Sequence, residues 1–316
     1  MTVYLDDEFV GTHLTTADAF DCVERSFRLL ADGSATNAPR RRSQSGTAIL
    51  NVMWALAPTE GVMGVKSYPV VRTDVTQGAV LTLLLYSMET GELLSMMKAD
   101  RLGQIRTGAA TAVATVAMAR PESEALTIFG TGYQAESQVR SLVGAMPHLR
   151  TVRVVGRSVA KRDAFIERMS AELDLEVVAG EPEAAASVAD IIVTATGSSE
   201  PVLHGAWLRP GTHVNAVGSN VLTKREIDRD VLERASLILV DDREVARADC
   251  GDFAANDWDV DSAGTVGQLL TGRIPGRGSA EDITVFESQG LALQDVVCGA
   301  LLMSRARERG LGLPII

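Results

Sequence analysis

The stretch Leu126-Thr-Ile-Phe-Gly130-Thr-Gly132-Tyr-Gln-Ala135 constrains this chain more than any other. An apolar run of strand formers ends in Gly130-x-Gly132-x-x-Ala135, and Val139, Leu142 and Val143 follow at helical spacing. Strand, glycine turn and helix in that order make the Gly-x-Gly-x-x-Ala variant of the dinucleotide-binding turn. Gly130 supplies the tight turn, Gly132 lets the backbone approach a pyrophosphate, and Ala135 lets helix and strand pack closely. The free N–H groups of the helix start, at Tyr133 and Gln134, face the anion. Glycine pairs are common in turns; the strand before and the helix after give this one its weight.

The segments downstream agree with the turn. Strands are expected over 126–129, 151–155, 175–179, 190–195, 212–217 and 237–240, with helices over 136–145, 160–173 and 184–187 between them. That alternation predicts an α/β fold, a Rossmann doubly wound domain. Upstream the pattern differs. A helix led by Thr and Asp caps carries Val23, Phe27, Leu29 and Leu30 and stops near Gly33. Strands over 51–56, 61–71 and 80–87, a turn at Thr90-Gly91 and an Ala-rich helix over 100–119 indicate a separate α+β domain. A last helix over 290–309 stands outside the alternation and packs back on that first domain.

The second Rossmann strand ends Val155-Gly-Arg157-Ser158, where an NAD-binding chain would carry an acidic residue for the ribose hydroxyls. An arginine forks onto phosphate and a serine donates to it, so Arg157 and Ser158 favour NADP(H), with NAD(H) kept as the alternative. The fourth strand ends Thr194-Ala195-Thr196, where such folds lay backbone along the dinucleotide.

Composition removes other classes. The 316 residues carry a formal net charge of -11, with a pI near 4.9. That balance argues against nucleic acid and anionic membranes as partners. No apolar run approaches the ~18 residues of a membrane span, and the acidic N-terminus has no basic region before an apolar core. Cys22, Cys250 and Cys298 are too far apart for a Cys-x-x-Cys site, so neither a disulfide framework nor a metal centre is expected. A cytoplasmic chain is the expectation.

With these pieces in view, the chain resembles the ornithine cyclodeaminase/mu-crystallin family. The likeness is carried by Val62-Met-Gly-Val-Lys66, Ile105-Arg-Thr-Gly-Ala-Ala110, the glycine turn and His213-Val-Asn-Ala-Val-Gly218, then Asp282-Ile-Thr-Val-Phe-Glu-Ser288 and Gly290-Leu-Ala-Leu-Gln-Asp295. The resemblance implies a substrate-binding and dimerisation domain built from both chain ends, 1–119 and 290–316, around a Rossmann domain over 120–289. It also implies a homodimer and hydride transfer on a small 2-imino or 2-amino acid.

Such a substrate presents a carboxylate, and burying it unpaired is prohibitively costly, so cationic partners are required. By resemblance they are Arg41, chosen from the triple-arginine run by its Pro-x-Arg pattern, Lys66 and Arg106. Lys66, close to other cations, is also a candidate proton donor to the reacting nitrogen. Thr107 follows as a phosphate contact, and Val217 and Gly218 flank the nicotinamide region. Cyclodeaminases of this family carry an aspartate where this chain has Asn220. An amide hydrogen-bonds an imine but cannot accept a proton as a general base, which turns the reading from amine oxidation towards imine reduction. Asp228, two turns on, reads as a helix cap instead. His213, inside a strand, reads as a satisfied core histidine. Asp295 either points to the site or is an ordinary first-turn carboxylate.

The expected activity is therefore NAD(P)H-dependent reduction of a small imino acid, a cyclic ketimine such as Δ1-pyrroline-2-carboxylate. Ornithine cyclodeaminase, an alanine dehydrogenase-like activity and a crystallin-like nucleotide binder without turnover are the alternatives.

Overall fold

The structure, a computed structural model, describes residues 2–71 and 80–315. In chain order it begins β1 (Val3–Leu5), α1 (Asp7–His13), α2 (Thr16–Ala31), β2 (Thr36–Asn37), β3 (Arg41–Ser45), β4 (Ala48–Ala57), β5 (Val62–Val71), β6 (Thr82–Ser87), β7 (Leu93–Lys98) and α3 (Asp100–Met118). The alternating part follows: β8 (Ala125–Phe129), α4 (Tyr133–Ala145), β9 (Thr151–Val155), α5 (Val159–Glu172), β10 (Glu176–Ala179), α6 (Pro182–Ser187), β11 (Ile191–Thr194) and β12 (His213–Ala216). Next come α7 (Arg229–Arg234), β13 (Ala235–Val240), α8 (Arg243–Asp249), α9 (Gly251–Ala255), β14 (Gly264–Thr265), α10 (Val266–Leu270) and β15 (Ile283–Glu287). The chain closes with α11 (Ala292–Arg309) and β16 (Leu313–Pro314).

Two compact units result. One comprises Met1–Arg106 with Leu291–Ile316, the other Thr107–Gly290. The sequence put the first boundary at 119; the units part inside α3 instead, because a continuous helix gives no turn residue to mark the division.

In the first unit the strands are ordered β16-β1-β7-β6-β5-β4-β2, with β3 pairing β4. β4 through β7 form an antiparallel meander. Its inner face carries Met53, Ala55, Leu83, Leu85 and Met97, and α11 packs there. Gly64 in β5 is needed for that approach: a Cβ on it would lie 2.7 Å from Val296 of α11. α2 starts with a capping box, Thr15 with Asp18, where the sequence offered Thr and Asp as caps. Two elements give no periodic signal. α1 buries only Val10, and β7 reads Leu-Leu-Ser-Met-Met-Lys without clean alternation.

The second unit holds an all-parallel sheet ordered β10-β9-β8-β11-β12-β15-β13-β14. Its first five strands follow the doubly wound Rossmann order, with the switch point between β8 and β11. Side chains of β8 alternate between two cores: Leu126 and Ile128 join one with α4 and α5, and Phe129 joins the other. β15 is the last strand of this unit in sequence yet lies between β12 and β13. Its five residues are all buried, so helix and strand cannot be told apart there by periodicity.

Candidate active site

The second unit forms a cleft of about 660 Å³ at the carboxyl ends of its strands, bounded among others by Gly130, Gly132, Gly156, Arg157, Thr196 and Gly197. The two glycines of the turn do different jobs. Gly130 has φ +120°, and a Cβ there would lie 2.4 Å from the Ala195 carbonyl oxygen, so the fold itself demands glycine. A Cβ on Gly132 would meet nothing within 4 Å. Its open face is the space that a pyrophosphate needs. Gly132 is also the N-cap of α4 and offers no side-chain cap, so the start of this helix presents backbone N–H groups of the kind that bind an anion. Ala135 is fully buried against the sheet. An adenine dinucleotide fits this cradle.

The other candidates of this unit divide. Arg157 lines the cleft with Lys161 and Arg162, and no carboxylate ends β9. The Ser158 hydroxyl is the N-cap of α5, accepting from Lys161 N at 3.4 Å; its proton remains free for donation. Ala195 and Thr196 line the cleft. Thr194 is buried, and its hydroxyl donates to Glu226 at 2.9 Å. Val217 is buried, and Gly218 N donates to the same carboxylate at 2.7 Å. Thr107 begins the unit on α3. The next residue, Gly108, would clash through a Cβ with Ser137 O at 2.4 Å, so α3 runs against the α4 backbone there. Asn220 lies half-buried in the loop between β12 and α7. Asp228 caps α7, accepting from Val231 N. His213 is buried with Thr284 Oγ1 at 2.9 Å and Asn215 Oδ1 at 3.2 Å; burial, then Arg277, lowers its pKa to about 3.

The first unit holds a buried charge cluster. Lys66 Nζ lies 2.8 Å from Asp295 Oδ1. Arg106 Nε lies 3.3 Å from the same carboxylate, and its Nη1 donates to Gln294 Oε1 at 3.1 Å. Register explains the meeting. Gly64 and Lys66 share the inner face of β5, and the close seat of Val296 on Gly64 brings Asp295, its neighbour on α11, to the Lys66 ammonium. The Lys66 pKa is lowered to about 8: burial lowers it most, Asp295 pulls the other way, and the nearby charges of Arg106 and Arg40 add to the lowering.

Arg41 is where sequence and structure differ. It is exposed on β3, and the buried arginine of the run is Arg40, 7 % exposed. A Pro-x-Arg pattern does not reveal where the chain leaves the interior; Arg40 lies just before β3, whose residues are all exposed. Asp295 is fully buried and central to the cluster. Its one sequence signal was a lone carboxylate in an otherwise apolar first helical turn. Glu226 gave no signal at all, being one acidic residue among 41 in a loop without periodicity.

Comparison with known proteins agrees with these features. The model of the ornithine cyclodeaminase/mu-crystallin family matches residues 2–310. The chain belongs to that family. A Delta(1)-pyrroline-2-carboxylate reductase of Bacillus cereus is 35% identical over 240 residues, 73% of this chain and 72% of the relative. Among solved structures, the Thermococcus litoralis Delta(1)-pyrroline-2-carboxylate reductase, described in complex with NADH and L-proline, superposes with a TM-score of 0.93. It is 26% identical and covers 99% of this chain and 100% of its own. An archaeal alanine dehydrogenase dimer with bound NAD superposes with a TM-score of 0.94 at 29% identity, covering 100% of this chain and 99% of its own. The family thus includes NAD(H)-binding enzymes acting on C–N bonds of small amino and imino acids. Among the described residues no helix is long and apolar enough to cross a membrane, and no group of side chains could hold a metal ion.

Proposed function

We propose that this chain is an NAD(P)H-dependent reductase of a small 2-imino acid, with a cyclic ketimine such as Δ1-pyrroline-2-carboxylate as the substrate class. One observation carries the reading: Lys66 and Arg106, both buried, share the one carboxylate of Asp295, two cations on one anion. A buried surplus of positive charge is costly unless an anion completes it. A substrate carboxylate is that anion. Arg40 and Arg106 hold it, and Arg40 takes the role first expected of Arg41. Lys66, whose pKa of about 8 lies near neutrality, donates the proton that the reduced nitrogen requires. Asn220 hydrogen-bonds the imine. Bound NAD(P)H supplies the hydride for the imine carbon; the cleft residues of the second unit would hold it. The deciding assay follows reduced-cofactor absorbance with a panel of cyclic imines, and with 2-keto acids plus ammonia. Imine-dependent oxidation of NAD(P)H is expected. Proline and ammonia from ornithine with no net cofactor consumption would replace the reading with cyclodeaminase, and tight cofactor binding without turnover would replace it with a non-catalytic binder.

Arg157 with Lys161 and Arg162 supports NADP(H) as the preferred cofactor. An arginine–phosphate pair contributes about 1.5–3 kcal/mol, so Arg157→Ala is expected to weaken NADPH by roughly tenfold or more while changing NADH by less than about threefold. Titration of both cofactors checks this, and equal losses would remove the preference.

A homodimer is supported by the outer face of the first unit's sheet. Trp54, Val65, Leu84 and Met96 form one cross-strand row over β4, β5, β6 and β7, on the side opposite α11. Trp54 and Met96 are both 37 % exposed. An apolar row of this kind is self-complementary about a two-fold axis, and a second copy is its expected cover. Trp54→Asp should convert a dimer to a monomer by light scattering at micromolar concentration. A variant that stays dimeric moves the interface elsewhere.

A further inference from the structure

The second unit holds a buried carboxylate behind its cleft, at Glu226. This residue lies in the loop after β12 and is fully buried. It accepts three hydrogen bonds: from Thr196 N at 2.5 Å on Oε1, and from Gly218 N at 2.7 Å and Thr194 Oγ1 at 2.9 Å on Oε2. Its donors sit at the ends of β11 and β12, which lie side by side. One side chain therefore ties together two strand ends.

The place of those strands gives the tie its meaning. A doubly wound sheet binds a dinucleotide in two halves across the switch point. Here β8, β9 and β10 with Arg157 make the first half, and β11 and β12 with Thr196 and Gly218 make the second. We propose that Glu226 is the positioning residue of the nicotinamide half of the cleft, fixing the Thr196 and Gly218 backbone on which that half rests. The proposal depends on the dinucleotide reading given above and adds a residue to it.

Three observations favour this role over plain packing. Only a carboxylate can accept at both oxygens; a glutamine would aim an NH2 at a backbone N–H. Gly218 is held so close that a Cβ on it would lie 2.6 Å from the Glu226 carboxyl carbon and 2.3 Å from Thr196 O, so the two segments meet backbone to backbone at the carboxylate. Finally, the loop is built to deliver this side chain. The N–H groups of Glu226 and Ile227 both donate to Asp252 Oδ1, at 2.7 and 2.9 Å, and Asp252 N donates to Ser219 Oγ at 2.9 Å. Burial pushes the Glu226 carboxyl up, and the three bonds it accepts hold it down. A buried charge is a poor way to gain stability alone. Geometry is what it supplies.

The test uses the full chain and separates whole cofactor from half. NADH and NADPH probe both halves; ADP and 2′,5′-ADP probe the first. Glu226→Gln is expected to raise the Kd of NADH and NADPH at least tenfold and leave that of the two adenosine phosphates within twofold. Parallel losses for whole and half, or no loss for either, overturn the proposal, since a merely structural defect would not single out the nicotinamide half. Should the variant fail to give a cooperative melt, Thr194→Val carries the same test by removing one of the three bonds. It must weaken the dinucleotides about threefold with the adenosine phosphates unchanged, and unchanged dinucleotide binding overturns the idea. A wild-type protein that binds ADP and 2′,5′-ADP but neither dinucleotide overturns the assignment of the second half, whereas one that binds none of the four overturns the dinucleotide reading beneath it.

Discussion

Lys66→Ala is expected to lower kcat/KM for imine reduction by about a thousandfold, within the range for loss of a general acid that also binds the substrate charge. NAD(P)H affinity should stay within twofold, because the cofactor cleft is built from other residues. The fold should survive, since Asp295 keeps Arg106 at 3.3 Å. Asp295→Ala is the harsher change. It leaves Lys66 and Arg106 buried without the carboxylate that they share, and breaking such a cluster costs about 3–5 kcal/mol. A melt in which Asp295→Ala matched wild type would remove the charge cluster from the account. The pH dependence follows from the lowered Lys66 pKa of about 8. Below it the amine is charged and can donate, so the reduction rate is flat; above it the rate falls. Lys66→Arg, permanently charged, should lose that falling limb. The stability sign is opposite to that of a lysine stabilised by its partner. The unfolded chain binds the proton more tightly than the folded one, so the penalty is complete below about pH 8 and fades as pH rises towards 10.5. Relative to Lys66→Met, the wild type should gain stability over that window.

The second large effect separates two glycines that look alike in the sequence. Gly132→Ala adds a methyl group where nothing lies within 4 Å. The melting temperature should therefore stay within about 2 °C, while NAD(P)H affinity falls on the order of a hundredfold, because the methyl group fills the approach of the pyrophosphate. Gly130→Ala should do both kinds of damage. At φ +120° an alanine is strained, and its Cβ meets Ala195 O at 2.4 Å, so β8 and β11 must separate at their ends. A Gly132→Ala protein with full cofactor affinity would mean that the phosphates lie elsewhere.

Much of the fold was legible because the second unit obeys local rules. Its strands are short apolar runs, and the glycine turn announces the first crossover. β15 escaped because a strand buried on both faces has no alternation, and its place between β12 and β13 is a fact of the sheet and not of the chain order. α1 escaped because a seven-residue helix with one buried side chain has no stripe to read. The candidate site was legible in residue types and less so in their partners. Lys66 stood out as a cation within an apolar strand. The choice between Arg40 and Arg41 did not, because the buried Arg40 lies just before β3, whose residues are all exposed, and nothing in the run marks where the chain leaves the interior.

By itself the sequence determined the dinucleotide-type turn, the absence of an acidic residue after the second Rossmann strand, the family and the asparagine where cyclodeaminases carry an aspartate. Each of these is a property of a few contiguous residues, and local backbone rules or side-chain chemistry act at that range. The tertiary structure alone decided which arginine is buried, that Asp295 is the counter-ion of Lys66 across 229 positions of chain, and that Glu226 closes the ends of β11 and β12. Those are pairings over long sequence separations. They are set by how α11 seats on Gly64 and how one loop folds back on a parallel sheet, and no spacing along the chain encodes them.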